Sequence, residues 1–367
     1  MIKGLYIHIP FCEIKCPYCD FTSFVWNEDS LKEKYVSTLK KELSLYQNLD
    51  FELETVYFGG GTPSSLSPDL LVDTIQFIKE NTKTKKELEI TVEVNPKTYR
   101  YRDFKILKDV GVNRISIGNQ SFLEKNLLSL GRNHKPKDTL QTVEDCLNAG
   151  ITNINLDLIY GIQGQTLDDL EEDLKIYTSL PITHISAYML TPYEGTPLGT
   201  LVKNGFYNLP DEETTLKMFE LIDSFLEEKG FKRYELSNWA KEGYECKHNL
   251  FYWTDVEFLG IGVSSWSYLS NVRFGNTKNI QEYLTLVEKS IKPVKFKEEL
   301  DQKKKIEEKI FLSLRLKSGL DLNLIKNKDI IKELVEEGYA TVKNGKLTLL
   351  PKGIMVLNEI AVKLVLT

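Results

Sequence analysis

Three cysteines near the start of the chain have a spacing suited to binding a metal cluster. Cys12, Cys16 and Cys19 fall within eight residues, in the pattern Cys-x3-Cys-x2-Cys, directly after a strand-like run. Three thiolates this close on one loop can bind three corners of a [4Fe–4S] cluster and leave the fourth iron open. An open iron is what the cleavage of S-adenosylmethionine (SAM) requires, because the amino and carboxylate groups of SAM chelate it.

Zinc and unligated core cysteines are the alternatives to a cluster. Structural zinc sites usually have four ligands arranged in two pairs. Neither Cys146, in a predicted helix, nor Cys246, far along the chain, is an obvious fourth ligand. Five cysteines form an odd total, and residues 1–10 lack a signal-peptide pattern, so we expect no disulfides and a cytoplasmic protein.

Alternating strand and helix patterns fill the first 230 residues and indicate the elements that must position this loop. Helical patterns separate the strand-like runs, and such alternation is typical of a parallel sheet with helices outside. Six units are fewer than the eight of a closed barrel, so the sequence predicts an α/β fold, a partial (β/α)6 TIM-like barrel. The predicted strands are 5–10, 55–60, 88–95, 114–120, 154–161 and 184–190, and the predicted helices are 29–47, 67–80, 101–110, 136–149, 167–178 and 211–229.

The predicted strands alternate apolar and polar residues. With helices on the outside, the apolar set must face the helices and the polar set must face the barrel interior. An interior lined in this way should hold a large polar ligand; a solvated sheet face is uncommon for parallel sheets. The inward set is Tyr6, His8, Thr91, Glu93, Asn95, Ser116, Gly118, Gln120, Asn155, Asp157, Ser186 and Tyr188.

Composition excludes some functions and suggests three segments. The 367 residues carry a net charge of −6 with 41% hydrophobic residues, which argues against disorder and against a general nucleic-acid binder. No run of 18 apolar residues predicts a membrane span. We assign residues 1–230 to the barrel, 231–290 to a connecting segment, and 291–367 to a small C-terminal domain.

The C-terminal segment is basic, with 16 Lys and Arg against 11 Asp and Glu, a local net charge of +5. Its pattern of helix (298–317), helix (322–337), a hairpin at Asn344-Gly345 and helix (351–364) resembles a winged helix. A nucleic-acid module is one interpretation. Acidic residues are interleaved with the basic ones, so a solvated helical face is the default, and we expect no nucleic-acid partner.

The motif CxxxCxxC, with an aromatic residue before its last cysteine, resembles the radical SAM superfamily. The longer string LYIHIPFCEIKCPYCDF (5–21) resembles the coproporphyrinogen III oxidase-like branch of that superfamily, and within it the haem chaperones of the HemW type. This resemblance runs through most of the chain. It implies a [4Fe–4S] cluster on Cys12, Cys16 and Cys19, and SAM inside the barrel.

The same resemblance assigns further residues to SAM. Gly60, Gly61 and Thr62 end the second strand, where glycines let the backbone approach a ligand closely; a tight turn or a phosphate loop is the alternative, but no Lys follows. The family positions imply that these three contact the methionine part of SAM and that Arg132 pairs its carboxylate. Other implied SAM contacts are Tyr6, Tyr18, Glu93, Gln120 and Asp157. An inter-strand polar network, or a solvated loop for Arg132, is the structural alternative.

Three functions are open within the family. They are a haem chaperone that binds haem and delivers it to acceptor proteins, an oxygen-independent coproporphyrinogen III oxidase, and another haem-modifying radical SAM enzyme. Oxidases of this branch resemble CxxxCxxCxC and carry an N-terminal extension; here Phe21 stands at the last cysteine position, and Tyr6 lies almost at the start. The sequence therefore favours the haem chaperone, as a monomer or homodimer, without oxidase activity.

A second motif supports the same choice. His248-Asn249-Leu250-Phe251-Tyr252-Trp253 matches HNxxYW, which is associated with the chaperones. An imidazole can ligate haem iron axially and neighbouring aromatic rings can cover the macrocycle, so His248 is predicted to be a haem ligand. A His-Asn pair that satisfies backbone groups is the alternative, and Cys246 is a conceivable thiolate ligand.

Overall fold

The strands of the barrel follow the predicted order. The computed structural model describes residues 1–26 and 28–366. Its strands are β1 (Ile2–Ile9), β2 (Phe11–Cys12), β3 (Phe24–Val25), β4 (Phe51–Gly60), β5 (Thr84–Val94), β6 (Arg114–Gln120), β7 (Asn153–Tyr160), β8 (His184–Met189), β9 (Lys232–Arg233), β10 (Asn238–Ala240), β11 (Phe258–Ile261), β12 (Trp266–Leu269), β13 (Val272–Asn276), β14 (Val294–Glu299), β15 (Leu320–Asp321), β16 (Ala340–Lys343) and β17 (Lys346–Leu349).

Helices separate the barrel strands and dominate the C-terminal part. They are α1 (Asp29–Ser44), α2 (Pro68–Asn81), α3 (Tyr101–Val110), α4 (Glu124–Ser129), α5 (Pro136–Asn148), α6 (Leu167–Ser179), α7 (Pro197–Lys203), α8 (Glu212–Glu228), α9 (Lys247–Trp253), α10 (Ile280–Glu288), α11 (Gln302–Ser313), α12 (Lys328–Glu336), α13 (Pro351–Met355) and α14 (Leu357–Val365). Two short 3-10 helices lie at Pro63–Ser65 and Leu322–Leu324.

The six predicted barrel strands form one continuous parallel sheet. Strands β1, β4, β5, β6, β7 and β8 are neighbours in this order, and each pair is parallel. Apolar residues of these strands, such as Leu5, Ile7 and Ile9, are fully buried against the outer helices. The polar set therefore faces the interior, and the prediction of a mostly parallel α/β sheet of the partial-barrel type is confirmed.

The sheet continues beyond the predicted barrel at both edges. A seventh parallel strand, β11, pairs with β1, and β12, β13 and β14 follow it antiparallel. At the other edge β10 and β9 pair antiparallel to β8. The segment predicted to connect two domains, residues 231–290, thus supplies strands to the main sheet, because its Gly-rich run forms β11 and β12. The division of the chain into three segments stays a prediction.

The C-terminal part contains the predicted helices and hairpin in order, but β14 includes residues 298 and 299 and β15 was not predicted, so the helix predicted over 298–317 is confined to α11. Strands β15, β17 and β16 form a separate antiparallel sheet, and the hairpin turns at Asn344 and Gly345, which both have positive φ. The predicted helix 351–364 is instead divided into α13 and α14 at Val356, whose φ of −117° and ψ of 31° leave the helical region. A bridge between Glu235 and Leu316 joins this part to the barrel. Within the described residues we find no helix that is both long and apolar enough to cross a membrane.

Candidate functional site

A cavity of about 550 Å³ opens at the carboxyl ends of the parallel strands. Active sites of such folds lie at this end of the sheet, where the strand-to-helix loops meet. All but two of the predicted site residues line the cavity. These lining residues are Cys12, Cys16, Tyr18, Cys19, Gly60, Gly61, Thr62, Glu93, Gln120, Arg132 and Asp157.

The cysteine loop is held against the barrel at both ends. Phe11–Cys12 pairs in parallel with Phe24–Val25, so the loop closes on itself. The buried imidazole of His8 contacts the carbonyl oxygen of Thr22 through Nε2 at 2.8 Å. Inside the loop, the Cys19 amide donates to the Cys16 carbonyl oxygen at 3.1 Å. The three thiols are thereby fixed around one side of the cavity mouth.

The three thiols suit a cubane cluster. Burial is the largest influence on Cys12 and Cys19 and raises the pKa of both, so without a metal these groups are neutral thiols. A cluster iron would replace the proton. No group of three or more His, Cys, Asp and Glu side chains in the described residues is arranged to hold a single metal ion. A cubane cluster does not need such a group, because each of its thiolate ligands binds a different iron atom.

The other two cysteines lie away from this loop. Cys146 is fully buried in α5. Cys246 is fully buried at the start of α9, and its thiol lies 3.6 Å from a carboxylate oxygen of Glu89. Among the five cysteines, only Cys12, Cys16 and Cys19 line the cavity, and their role as cluster ligands stays a prediction.

The glycine turn after β4 packs directly against the entrance to the cysteine loop. The Gly61 amide donates to the Ile9 carbonyl oxygen at 2.8 Å, and the Thr62 amide donates to the Phe11 carbonyl oxygen at 2.8 Å. The Thr62 hydroxyl lies 3.5 Å from Cys12 Sγ. Gly60 has a φ of 109°, and a Cβ atom there would lie 2.5 Å from the His8 ring. The turn requires glycine for both conformation and space.

Replacing Gly60 with alanine should therefore destabilise the protein. We expect the left-handed φ and the collision with His8 together to lower the free energy of unfolding by more than about 2 kcal/mol. Urea unfolding of the cluster-free protein measures this change. Gly164→Ala is the matched control, because its φ is also positive at 73° while an added Cβ meets nothing within 4 Å. Equal losses in the two variants would show that the contact with His8 has no energetic role.

Arg132 is fixed as a fork between the cysteine loop and the sheet. Its Nη2 donates to Asn95 Oδ1 at 2.8 Å and to the Gly118 carbonyl oxygen at 2.7 Å, and its Nη1 lies 3.4 Å from Cys16 Sγ. Burial opposes its charge, but Tyr18 and Cys16 outweigh burial and raise the pKa of Arg132. Its buried Nε has no hydrogen-bond partner among the residues that the structure describes. The Arg132 side chain therefore lines the cavity and is held in place by hydrogen bonds. The alternative of a solvated loop position does not apply to it.

Two carboxyl groups lie on the inner wall of the barrel. Glu93 accepts hydrogen bonds from the Tyr57 hydroxyl at 2.7 Å and from the Gly60 amide at 3.2 Å. Asp157 accepts one from Asn155 Nδ2 at 2.8 Å. Burial raises the pKa of Glu93 to about 7 and that of Asp157 to about 6. A cationic ligand would restore their ionised forms, since an opposite charge nearby lowers the pKa of a carboxyl.

The raised pKa of Glu93 makes stability depend on pH. The folded protein holds this proton more tightly than the unfolded chain, whose carboxyl titrates near 4.5. The stabilising contribution is therefore complete below pH 4.5 and is lost as pH rises through 7. We expect the cluster-free Glu93→Gln variant to melt about 2–4 °C above wild type at pH 8 and no higher than wild type at pH 4. Glu87→Gln, an exposed position on the same strand, is the control. A lower melting temperature of Glu93→Gln at pH 8 would contradict this account.

Gln120 and Tyr18 complete the lining that was predicted. Gln120 has a φ of 72° at the end of β6, where the pairing with β7 changes register. This break in the strand lies at the cavity, as is common for functional positions. Tyr18 lies between two of the cysteines, and its neighbour Pro17 is tied to α7 by the Leu198 amide at 2.9 Å.

Tyr6 and His248 are the two predicted residues outside the cavity lining. The Tyr6 hydroxyl lies 3.2 Å from His8 Nδ1, and its ring stacks on Tyr57 at 6.1 Å between centroids. The His248 ring is buried beneath that layer. Its Nδ1 lies 2.7 Å from the Thr55 hydroxyl and its Nε2 lies 2.9 Å from the Tyr252 hydroxyl. Both nitrogens are thus engaged within the protein, and haem ligation by His248 would require one ring nitrogen to leave its partner and become accessible to the iron.

Several lining residues, including the following three, were not assigned to a ligand from the sequence. Tyr57, Arg114 and Asn249 line the cavity. Tyr57 pairs with the inward-facing Thr91, and Arg114 lies two residues before the inward-facing Ser116 on the same strand. The alternation of inward and outward residues could therefore have predicted both. Asn249 follows His248 in the HNxxYW motif, but its contact with the cavity depends on how α9 packs beneath the sheet, which spacing does not indicate.

Known proteins resemble this chain in sequence and in fold. Residues 6–176 match the family described as the Radical SAM superfamily. The chain is 34% identical to a protein of Bacillus subtilis (strain 168) named "Heme chaperone HemW", over 98% of each chain. It is 36% identical to a protein of the same name from Lactococcus lactis subsp. lactis (strain IL1403), over 89% of this chain and 85% of that one.

A solved structure shares the fold. Coproporphyrinogen III oxidase (HemN) from Escherichia coli, described as a radical SAM enzyme, superposes with a TM-score of 0.85 over 98% of this chain and 89% of that chain. The two sequences are 21% identical. The likeness extends over both the barrel and the C-terminal part, and at this identity it concerns the fold.

Proposed function

Because this chain belongs to the HemW family of the radical SAM superfamily, we propose that it is a haem chaperone, which binds haem and passes it to acceptor proteins. The observation that carries the proposal is the similarity to the Bacillus subtilis "Heme chaperone HemW" over 98% of both chains, with 34% identity. Haem, SAM and a [4Fe–4S] cluster are the proposed ligands.

The geometry of the cavity supports the assignment of the cluster and SAM. Cys12, Cys16 and Cys19 would hold three irons of the cluster, and the bound cluster would supply an electron to SAM. The Arg132 fork beside Cys16 suits a carboxylate. The glycine turn presents its backbone to the same volume.

The deeper wall supports the rest of SAM. Burial raises the pKa of Glu93 to about 7 and that of Asp157 to about 6, so without a cationic ligand both carboxyl groups hold protons at mildly acidic pH. A sulfonium cation nearby would favour release of these protons to solvent. Gln120 and Asp157 suit ribose hydroxyls, Tyr18 suits adenine, and Tyr6 supports the wall through Tyr57.

A coproporphyrinogen III oxidase is the second candidate, favoured by the shared fold with HemN. Against it, Phe21 occupies the position at which oxidases of this branch resemble a fourth cysteine. Phe21 is 66% exposed at the cavity mouth. We therefore propose haem carriage without propionate decarboxylation.

Other aspects of the function are also proposals. Acceptor proteins are expected to receive the haem in the cytoplasm, and the protein is expected to act as a monomer or homodimer without nucleic acid. The interleaved charges of the C-terminal part support the expectation of no nucleic-acid partner: Lys363, for example, pairs with Glu333 at 2.6 Å.

Titration of the reconstituted protein with haem tests the proposal. We expect a shift of the Soret band that saturates at a fixed haem-to-protein ratio, because a carrier must hold its cargo at a defined site. Lysozyme at equal concentration serves as the comparison for nonspecific uptake. A Soret band that stays at the position of free haem would refute the carrier function.

A further inference from the structure

All four histidines of the chain are buried inside the protein. Their exposed fractions are 5% for His8, 4% for His134, 0% for His184 and 1% for His248. None of the four lines the cavity. Each ring contacts the protein's own groups: His8 with Tyr6 and Thr22, His134 with Asn119, His184 with Asn155 and Tyr234, and His248 with Thr55 and Tyr252. A haem that enters from solvent meets no histidine in this arrangement.

The cavity mouth, by contrast, is surrounded by exposed apolar side chains. We name these five residues the mouth rim: Ile14, Phe21, Tyr188, Met189 and Tyr193 all line the cavity. Their exposed fractions are 41%, 66%, 43%, 46% and 50%, respectively. Exposed apolar groups that cluster around an opening usually mark a binding surface. The rim adjoins the cysteine loop, which supplies Ile14 and Phe21.

We propose that haem lies across the mouth rim, above the cluster and SAM, and that the Met189 thioether rather than a histidine ligates its iron. This inference rests on the proposed haem-carrier function and deepens it. The rim matches the flat apolar face of a macrocycle, and the polar interior below it is already matched to SAM. Methionine is an established haem ligand. A neutral thioether also binds iron without releasing a proton, unlike the phenols of Tyr188 and Tyr193.

A protein partner fits the rim less well than haem does. A stable protein interface buries about 800 Å² on each partner, which corresponds to some 20 or more residues. The rim has five apolar side chains around an opening, so its surface is small and interrupted at its centre. A rigid disc can span such an opening and exclude water from the cluster.

The other large concave surface is less suited to the haem dianion. A groove of about 1250 Å³ runs between α9 and the C-terminal part, and Phe251, Tyr252 and Trp253 contribute to it. Three of its lining cations are already paired with acids of the same groove. The pairs are Arg273 with Glu298 and Glu308, Lys304 with Glu298, and Lys305 with Asp255. Haem bound in this groove is the competing outcome of the test.

The test compares haem titrations of single variants in the full-length protein with its cluster reconstituted. We expect Phe21→Ser to weaken haem binding about tenfold or more, because a large apolar contact is removed. Met189→Leu keeps the rim apolar, so we expect it to lose the spectroscopic signature of thioether ligation and to shift the Soret band. Phe206→Ser is the matched control, since Phe206 is 75% exposed and does not line the cavity.

His248→Gln and Trp253→Phe decide between the rim and the alternatives. Wild-type spectra in both variants are expected. Loss of the haem spectrum in His248→Gln would overturn the rim proposal. Weaker haem binding by Trp253→Phe, with haem affinity unchanged in Phe21→Ser, would overturn it in favour of the groove. Iron content and SAM affinity of every variant report whether the site is still folded. If wild type binds no haem, the carrier function itself fails; if wild type binds and the rim variants match it, the rim inference fails separately.

Discussion

Replacing any one of Cys12, Cys16 and Cys19 with serine is expected to abolish the [4Fe–4S] signal of the anaerobically reconstituted protein. All three thiols line one cavity, and the other two cysteines are buried elsewhere. A serine hydroxyl is a poor replacement for a thiolate toward cluster iron, which is soft. Iron and sulfide content, together with electron paramagnetic resonance of the reduced sample, would measure the loss.

Cys146→Ala is the control for this experiment. Cys146 is as buried as the loop cysteines or more so, but it packs in α5 among apolar residues. The control should keep a full cluster even if its stability falls. A cluster that survives in any of the three serine variants would mean that another residue supplies that ligand, and the assignment of the loop would be wrong.

Arg132→Met is expected to weaken SAM binding by roughly 10- to 100-fold while the cluster still assembles. The guanidinium is held by Asn95 and by the Gly118 carbonyl oxygen, so it is oriented before a ligand arrives. A preorganised fork loses little entropy when it binds a carboxylate. Isothermal titration of the reconstituted protein with SAM measures the change.

Arg132→Lys is the matched variant in this series. It keeps the positive charge but loses the planar fork, so we expect an affinity between those of wild type and Arg132→Met. Lys137→Met, an exposed cation in α5, should leave SAM binding unchanged. Full SAM affinity in Arg132→Met would show that the carboxylate of SAM binds elsewhere.

Local patterns were sufficient to predict the wall of the cavity. Alternation along the strands assigned Glu93, Gln120 and Asp157 to the interior, and all three line the cavity. The cysteine spacing assigned the loop, and the glycine turn followed from its place at a strand end. These inferences succeed because residues two apart on a strand share a face. Loops that follow parallel strands also meet at one end of the sheet.

Contacts between distant segments could not be predicted in this way. The surroundings of His248 depend on Thr55, 193 residues away. Glu42 in α1 is buried and accepts from the Gly262 amide at 2.7 Å and the Tyr283 hydroxyl at 2.7 Å, which ties α1 to the added sheet edge. An acidic residue on a helix ordinarily predicts a solvated position. The pairing of β11 with β1 is also long-range, so the extension of the sheet was missed.

The choice between haem carriage and propionate decarboxylation is the central claim. The most direct measurement supplies coproporphyrinogen III, SAM and reductant to the cluster-loaded protein and titrates the same preparation with haem. We predict a saturable haem complex and no protoporphyrinogen IX. Conversion of coproporphyrinogen III to protoporphyrinogen IX in stoichiometric or greater amounts would contradict the account.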